Sequence, residues 1–361
     1  MSLDAQGRET TIEQEATIGL SQGQVIWKRF KKHKLAVISI FVLATTIILA
    51  FTSVGIVIGG NGQLVVDKET LLLRPDGWYI KGWWQWDWFT VGAKDLVNGA
   101  PTWNHPFGQD DIGRDIFARV MRGMQQSLLV TFIVGFLSTA IGVVLGSLAG
   151  YYRKWTDSVI MRVADIILIV PVLVLGAVLG RSVGGGALFL AIMLGLVAWP
   201  GLARLVRGEF LSLREREFVD AAVVSGASAR HIIFKHILPN SIGVIVVNTT
   251  LLMSAAILIE TSLSFLGFGI TPPDVSLGQI INEYQTAFQT RPWLFWYPGL
   301  FIILIALCIN FIGDGLRDAF DPRQRRDDFT KEGFFKSLFG GKKIEADHDE
   351  VIVGTTQREN I

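Results

Sequence analysis

Six runs of roughly 20 apolar residues dominate this sequence, and a chain that carries them folds in hydrocarbon rather than in water. They lie at 35–58, 127–151, 158–179, 187–204, 241–263 and 293–312. As a helix rising about 1.5 Å per residue, each reaches across a bilayer core of about 30 Å. Helices are required because lipid offers no partner to an open backbone N–H or C=O. The composition agrees: half of the 361 residues are hydrophobic and only 18% are charged. The expected fold class is an all-α integral membrane protein with six transmembrane helices in the cell membrane. The first run is expected to be a retained anchor. Its polar lead-in and its apolar stretch are both too long for a cleaved signal peptide, and no small-x-small site follows.

The placement of Lys and Arg sets the expected orientation. The stretch Trp27-Lys28-Arg29-Phe30-Lys31-Lys32-His33-Lys34 precedes the first run, Arg153 and Lys154 follow the second, and Arg204, Arg207, Arg214 and Arg216 follow the fourth. Arg317, Arg323, Arg325 and Arg326 follow the last. The outer turn between the third and fourth runs carries only Arg181 and the outer segment before the last only Arg291. The basic residues of the long first outer loop fall outside a rule for short loops, so both termini are expected in the cytoplasm. The chain then divides into a cytoplasmic tail (1–34, polar and expected to be disordered up to 24), an anchor helix (35–58), an extracytoplasmic cap (59–126), a five-helix core (127–312) with a cytoplasmic loop at 205–240, and a cytoplasmic tail (313–361). Within the cap, Trp84, Trp86 and Trp88 recur at a strand period of two. They are expected to rest on lipid headgroups, with packing inside the cap or stacking on a ligand as alternatives.

Several function classes are excluded. A net charge of +1 gives no basic surplus for nucleic acid. No GxxxxGK[ST] or HExxH occurs, the five histidines are scattered, and no nucleophile–base pair stands out, so neither catalytic nor metal-ligating residues are expected. Cys308 is the only cysteine and reads as an apolar filler. Composition does not exclude a lone channel or proton-coupled carrier, which stays as the alternative. It would be expected to carry acidic groups at midplane, and their absence from the fourth run and from the last before Asp314 weakens it. Arg162 and Asp165 are three apart and able to pair on one helix face, and with Glu260 they are the candidate pore or gate residues. Asn248, Thr249, Thr250 and Ser254 are expected to bond between helices, and Pro171 and Trp199-Pro200 to kink theirs.

The segment 208–240 is the most informative. A helix over 213–224 is expected, with Phe218, Ala221 and Ala222 on one face, and Gly226 stands where a left-handed residue would end it. A second short helix is expected over 229–235, after which Pro239 opens the fifth span. The pattern alone fits a docking surface for a soluble partner and an amphipathic loop on headgroups equally well. Asp220-Ala221-Ala222, then Gly226-Ala227-Ser228, then His236-Ile237-Leu238-Pro239 resembles the "EAA" loop of ABC importer permeases, with Asp for Glu and His236 for Ile. Three other stretches are similar to the C-type permease subunit of dipeptide and oligopeptide importers. They are the outer motif His105-Pro106-Phe107-Gly108-Gln109-Asp110 with Gly113-Arg114-Asp115; Glu260 to Gly269 followed by Pro272-Pro273; and Gly313 to Asp318 with Asp321-Pro322-Arg323.

The resemblance implies a permease that forms half of a pore with a homologous B-type permease. It also implies two cytoplasmic ATPase subunits that bind ATP and Mg in place of any cofactor on this chain, and an extracytoplasmic peptide-binding protein. The loop from Asp220 to Ser228 would then fit a groove on one ATPase. Glu260, an ionisable group near the outer end of the fifth run, is expected to pack helices together or serve a gate, with contact to a peptide amine as the alternative. Relatives of this subunit also carry nickel chelates, glutathione and haem.

Overall fold

The computed structural model describes residues 22–58, 64–66, 73–75, 78–182, 186–272 and 274–320, together with two paired two-residue strands, β1 (Ser2–Leu3) and β2 (Glu9–Thr10). The remainder of the N-terminal tail, Pro273 and all of 321–361, including Asp321-Pro322-Arg323, lie outside the described residues. A basic helix α1 (Gln22–Lys32) leads into α2 (Lys34–Ser53), whose first turn is closed by His33 Nδ1 accepting from the Ala36 N–H at 3.2 Å. The cap then forms two hairpin pairings: β3 (Ile56–Ile58) with β6 (Trp78–Ile80), and β4 (Leu64–Val66) with β5 (Leu73–Pro75).

The bundle continues with α3 (Ile116–Tyr152), α4 (Lys154–Ile169), α5 (Val172–Ser182), α6 (Ala187–Val197) and α7 (Pro200–Arg214). After α8 (Glu217–Val224), α9 (Ala229–His231) runs through a π turn, Ile232–Ile237, into α10 (Leu238–Phe265). The short helix α11 (Leu277–Tyr284) and the long α12 (Trp293–Phe320) complete it. Five helical stretches are long and apolar enough to cross a membrane, and a sixth arises if α4 and α5, bent by 82°, count as one broken span. The break falls at Pro171, which has no N–H to continue α4. Trp199-Pro200 likewise separates α6 from α7, with Pro200 at the start of the second helix where its missing N–H is harmless.

Four local expectations are corrected. The helix expected over 213–224 is two: α7 ends at Arg214 and α8 starts at Glu217. The helix expected over 229–235 does not stop before Pro239. The backbone widens to a π turn, in which the Leu238 N–H reaches back five residues to the Ile233 carbonyl, and this lets a proline enter without a break. Trp84, Trp86 and Trp88 lie in irregular bends rather than a strand. Trp88 is buried and Trp84 packs on Phe117 with centroids 4.7 Å apart, so these two serve the cap rather than the headgroups. Finally, α3 begins well before residue 127. Its 37 residues span about 55 Å, so its first turns stand above the apolar core and carry buried Arg119, Arg122, Gln125 and Gln126.

Helix α3 is the axis of the fold, and its contact with α7 explains how. Gly142, Gly146 and Gly150 recur every four residues and face Leu202, Ala203, Val206 and Phe210. A Cβ at Gly146 would lie 2.5 Å from the Ala203 carbonyl oxygen and 2.8 Å from Val206 Cβ. Small residues at this spacing let two membrane helices approach backbone to backbone, where packing rather than hydrophobic transfer drives association. Gly146→Ala is therefore expected to cost about 1–3 kcal/mol through overpacking. The check is the detergent melting temperature, and Gly208→Ala, where a Cβ meets nothing within 4 Å, serves as the neutral control. Thr249 and Ser254 do bond between helices, to Thr139 at 2.9 Å and to the Ala306 carbonyl at 3.3 Å. Asn248 and Thr250 instead bond to their own helix. Cys308 is buried among the spans.

Candidate functional site

Two groups of motif residues sit at opposite ends of α3. At the first end, α8 is a two-turn helix whose inner face is Val219 and Ala222, packed against Leu202, Val206 and Phe210 of α7 and Ile232, Ile233 and Ile237 of the π turn. Its outer face is Glu217, Asp220, Ala221 and Val224, flanked by Phe218 and Val223, all exposed. Glu217 and Asp220 in the first turn face the positive end of the helix dipole. Gly226 ends the helix at φ +79°. The Ala227 N–H bonds the Ala222 carbonyl at 3.0 Å and the Gly226 N–H bonds that of Val223 at 2.9 Å, the pairing of a Schellman cap. Ser228 then caps α9 by accepting from the His231 N–H.

The expected surface is thus assembled with one change. Ala222 is turned into the protein, away from Phe218 and Ala221, because a period of 3.6 places it beside Val219. Ala227 and Leu238 pack partly against the same cluster, while Asp220, Ala221, Gly226, Ser228 and Pro239 are exposed. His236 is half-buried, its ring centroid 5.4 Å from that of His231, and its carbonyl accepts from Asn240 Nδ2 at 2.6 Å. What results is an exposed, mainly apolar ridge on a rigid seat.

At the other end, the 105–115 loop folds back on itself through the bridge between Gln109 and Asp115. Gly108 and Gly113 take φ +79° and +80°, and a Cβ on either would run into the backbone of Gly99 or Gly92. Asp115 caps α3, accepting from the Ala118 N–H at 2.6 Å, and His105 Nδ1 donates to its other oxygen at 2.6 Å. Burial pushes the Asp115 carboxyl up, against the pull of these hydrogen bonds. Asp110, 1% exposed, accepts from the Arg114 and Ile112 N–H groups at 2.8 and 3.0 Å, from Arg114 Nε at 2.5 Å and from the Tyr284 hydroxyl at 2.9 Å. Glu283 receives Arg114 Nη2 and Arg119 Nη2, each at 2.5 Å. Burial alone would raise both carboxyls. Arg114 and the Tyr284 hydroxyl hold Asp110 below the usual range, and Arg119, then Arg114, do the same for Glu283. One turn further along α3, Arg122 grips Asp274 through two bonds of 2.9 Å, and Gln126 adds a third at 2.7 Å. The outer motif is therefore a latch joining the start of α3 to α11, with His105, Asp110 and Asp115 buried inside it. Pro106 and Gly108 shape its turn.

The candidate gate residues part company. Glu260 is fully buried and accepts from Ser127 Oγ at 2.7 Å and Ser264 Oγ at 2.8 Å, tying α10 to α3. Arg162 and Asp165 do not pair: Asp165 bonds Arg204 of α7, and Arg162 is exposed. Sequence reading passed over Arg119, Arg122, Asp274, Glu283 and Tyr284. The available signal was two arginines three apart just ahead of an apolar run, with no lipid-facing use. Among the described residues no group of His, Cys, Asp or Glu could hold a metal.

Comparison with known proteins matches residues 142–326 to the family described as binding-protein-dependent transport system inner membrane component. Residues 21–57 match the N-terminal TM domain of oligopeptide transport permease C. A putative peptide permease protein of Brucella ovis is 44% identical over 65% of this chain and 80% of its own length. The oligopeptide transport system permease protein OppC of Mycobacterium tuberculosis is 42% identical over 62% of this chain and 78% of its own length. That of Haemophilus influenzae is 36% identical over 87% of this chain and 93% of its own. With the apolar bundle and the loop geometry described above, these matches identify the chain as a member of the binding-protein-dependent transport system inner membrane components, a multi-pass permease subunit of an ABC importer in the cell membrane.

Proposed function

We propose that this subunit carries peptides, forming half of the pathway with a homologous B-type permease, and that α8 transmits ATP-driven motion from a partner ATPase. The observation that carries the proposal is the seat of α8. Its Val219–Ala222 face is anchored on α7 and the π turn, and α7 is locked on α3 through the glycine row. A force applied to the exposed ridge of Phe218, Ala221 and Val224 therefore moves the bundle as a body, the kind of rigid rearrangement that alternates access. ATP and Mg belong on the partner chains, and a binding protein delivers peptide at the cap end, where the latch keeps the loop in shape. The peptide assignment follows from the relatives named as peptide permeases.

The test is uptake of labelled oligopeptide into proteoliposomes holding the full importer with ATP enclosed. Uptake should require both ATP and the binding protein, and ATP-independent uptake would refute the proposal. Orientation is checked by single cysteines in a Cys308→Ser background. One at Asn98 should react with an impermeant thiol reagent added to intact cells, and one at Ser228 should not. The reverse labelling would place α8 on the wrong side for an ATPase.

A further inference from the structure

Helix α1 is marked in the sequence only by its charge, yet the fold gives it a fixed depth. Ile26 and Phe30, one turn apart, pack on Leu316 and Ala319 of α12, and Phe30 also meets the hydrogen-only face of Gly315. His33, at the joint with α2, lies 3.5 Å from Asp318. The apolar run of α12 ends near Ile312, so residues 315–319 stand about 5–10 Å beyond it at 1.5 Å per residue. That is the depth of one headgroup layer, about 5–8 Å thick. The docked helix is therefore held at headgroup level, beside the hydrocarbon and not in it.

Its other face is built for that layer. Trp27 is 56% exposed and stacks on Phe30, and Lys31 Nζ lies 5.2 Å above its ring. Lys28, Lys31 and Lys34 are exposed, with Arg29 and Lys32 in the same run, and no acidic residue occurs between Gln22 and Ser53. Just beyond, α2 exposes Leu35, Ile38 and Phe41, a stripe of apolar side chains suited to acyl chains. We propose that α1 and the first residue of α2 form a binding site for anionic phospholipid headgroups, with Lys28, Lys31 and Lys34 taking the phosphates and Trp27 seated at the interface. Basic clusters beside a span attract anionic lipid, and tryptophan favours the boundary between headgroup and chain. Because α12 already holds the helix, little ordering entropy opposes binding.

The test uses the assembled importer in nanodiscs of mixed phosphatidylcholine and phosphatidylglycerol, with retained lipid counted by native mass spectrometry. The wild type should retain phosphatidylglycerol preferentially, and rising salt should erode the preference. Lys28→Gln/Lys31→Gln/Lys34→Gln should lose about 100-fold of it, at about fivefold per charge, while assembling normally, because Ile26 and Phe30 are untouched. Equal retention of the two lipids by the wild type overturns the proposal, as does salt independence or an unchanged preference in the triple variant. If the variant keeps its lipid preference but loses its ATPases in neutral detergent, the patch docks a soluble partner and the lipid site is wrong. Should the variant fail to accumulate, the wild-type lipid and salt comparisons decide alone.

Discussion

Gly226→Val is expected to abolish peptide uptake while leaving membrane insertion and permease pairing intact. The reason is confined to the backbone. An ideal Cβ at Gly226 meets nothing within 4 Å, so no steric clash arises, but φ is +79°. An L-residue in that region is destabilised by about 1–2 kcal/mol, and a β-branched one by more. The relief is a turn with negative φ, which breaks the two cap bonds to Ala222 and Val223 and redirects the chain toward Ser228. The exposed ridge of α8 then shifts relative to its seat, and close-packed docking tolerates little displacement. A graded series makes the cause visible: Gly226→Asn, whose side chain tolerates the left-handed region, should retain most uptake, Gly226→Ala less, and Gly226→Val almost none. ATP-dependent uptake and co-purification of the ATPases are measured together. Wild-type uptake by the Val variant would remove α8 from the coupling path. Ala222→Glu should also fail, because its charge would be buried in the cluster of Val206, Ile237 and their neighbours that seats α8 and would unseat the helix.

The second large effect is at the latch. Asp110→Ala removes the acceptor of two backbone N–H groups, of Arg114 Nε and of the Tyr284 hydroxyl, which converge on a carboxylate that is itself buried. Arg114 keeps Glu283 as its partner, so no charge is stranded, and the cost is that of leaving buried donors without an acceptor, about 1–3 kcal/mol each. The 105–115 loop should therefore become protease-sensitive at its glycines and transport should fall, while the spans insert as before. Acid should act on the same bonds. The folded carboxyls of Asp110 and Glu283 ionise below the unfolded value of about 4. Their contribution is thus complete above about pH 4 and is lost as pH falls through the lower folded values. Asp110→Asn should flatten the acid limb of the melting curve, and an unchanged limb together with normal uptake would dismiss the latch.

The features legible in the sequence were those set by nearest neighbours or by the solvent. Five of the six apolar runs coincide with long apolar helices and the run at 158–179 is bent by 82°, while the left-handed turn at Gly226 and the break at Pro171 follow from single backbones. The motif residues were found, but their directions were not. Whether Ala222 faces outward depends on α7 lying behind it, and whether Asp165 pairs with Arg162 or Arg204 depends on how a broken span meets its neighbour. Asp110 and Tyr284 are 174 positions apart, and only the folding of α11 over the start of α3 brings them to 2.9 Å. Sequence by itself determined which stretches are long and apolar enough to form membrane helices and where the backbone must turn, since those depend on local transfer energy and dihedral sterics. Tertiary structure alone decided which polar groups are paired and which faces stay open, because those energies depend on burial, and burial is a property of the neighbours.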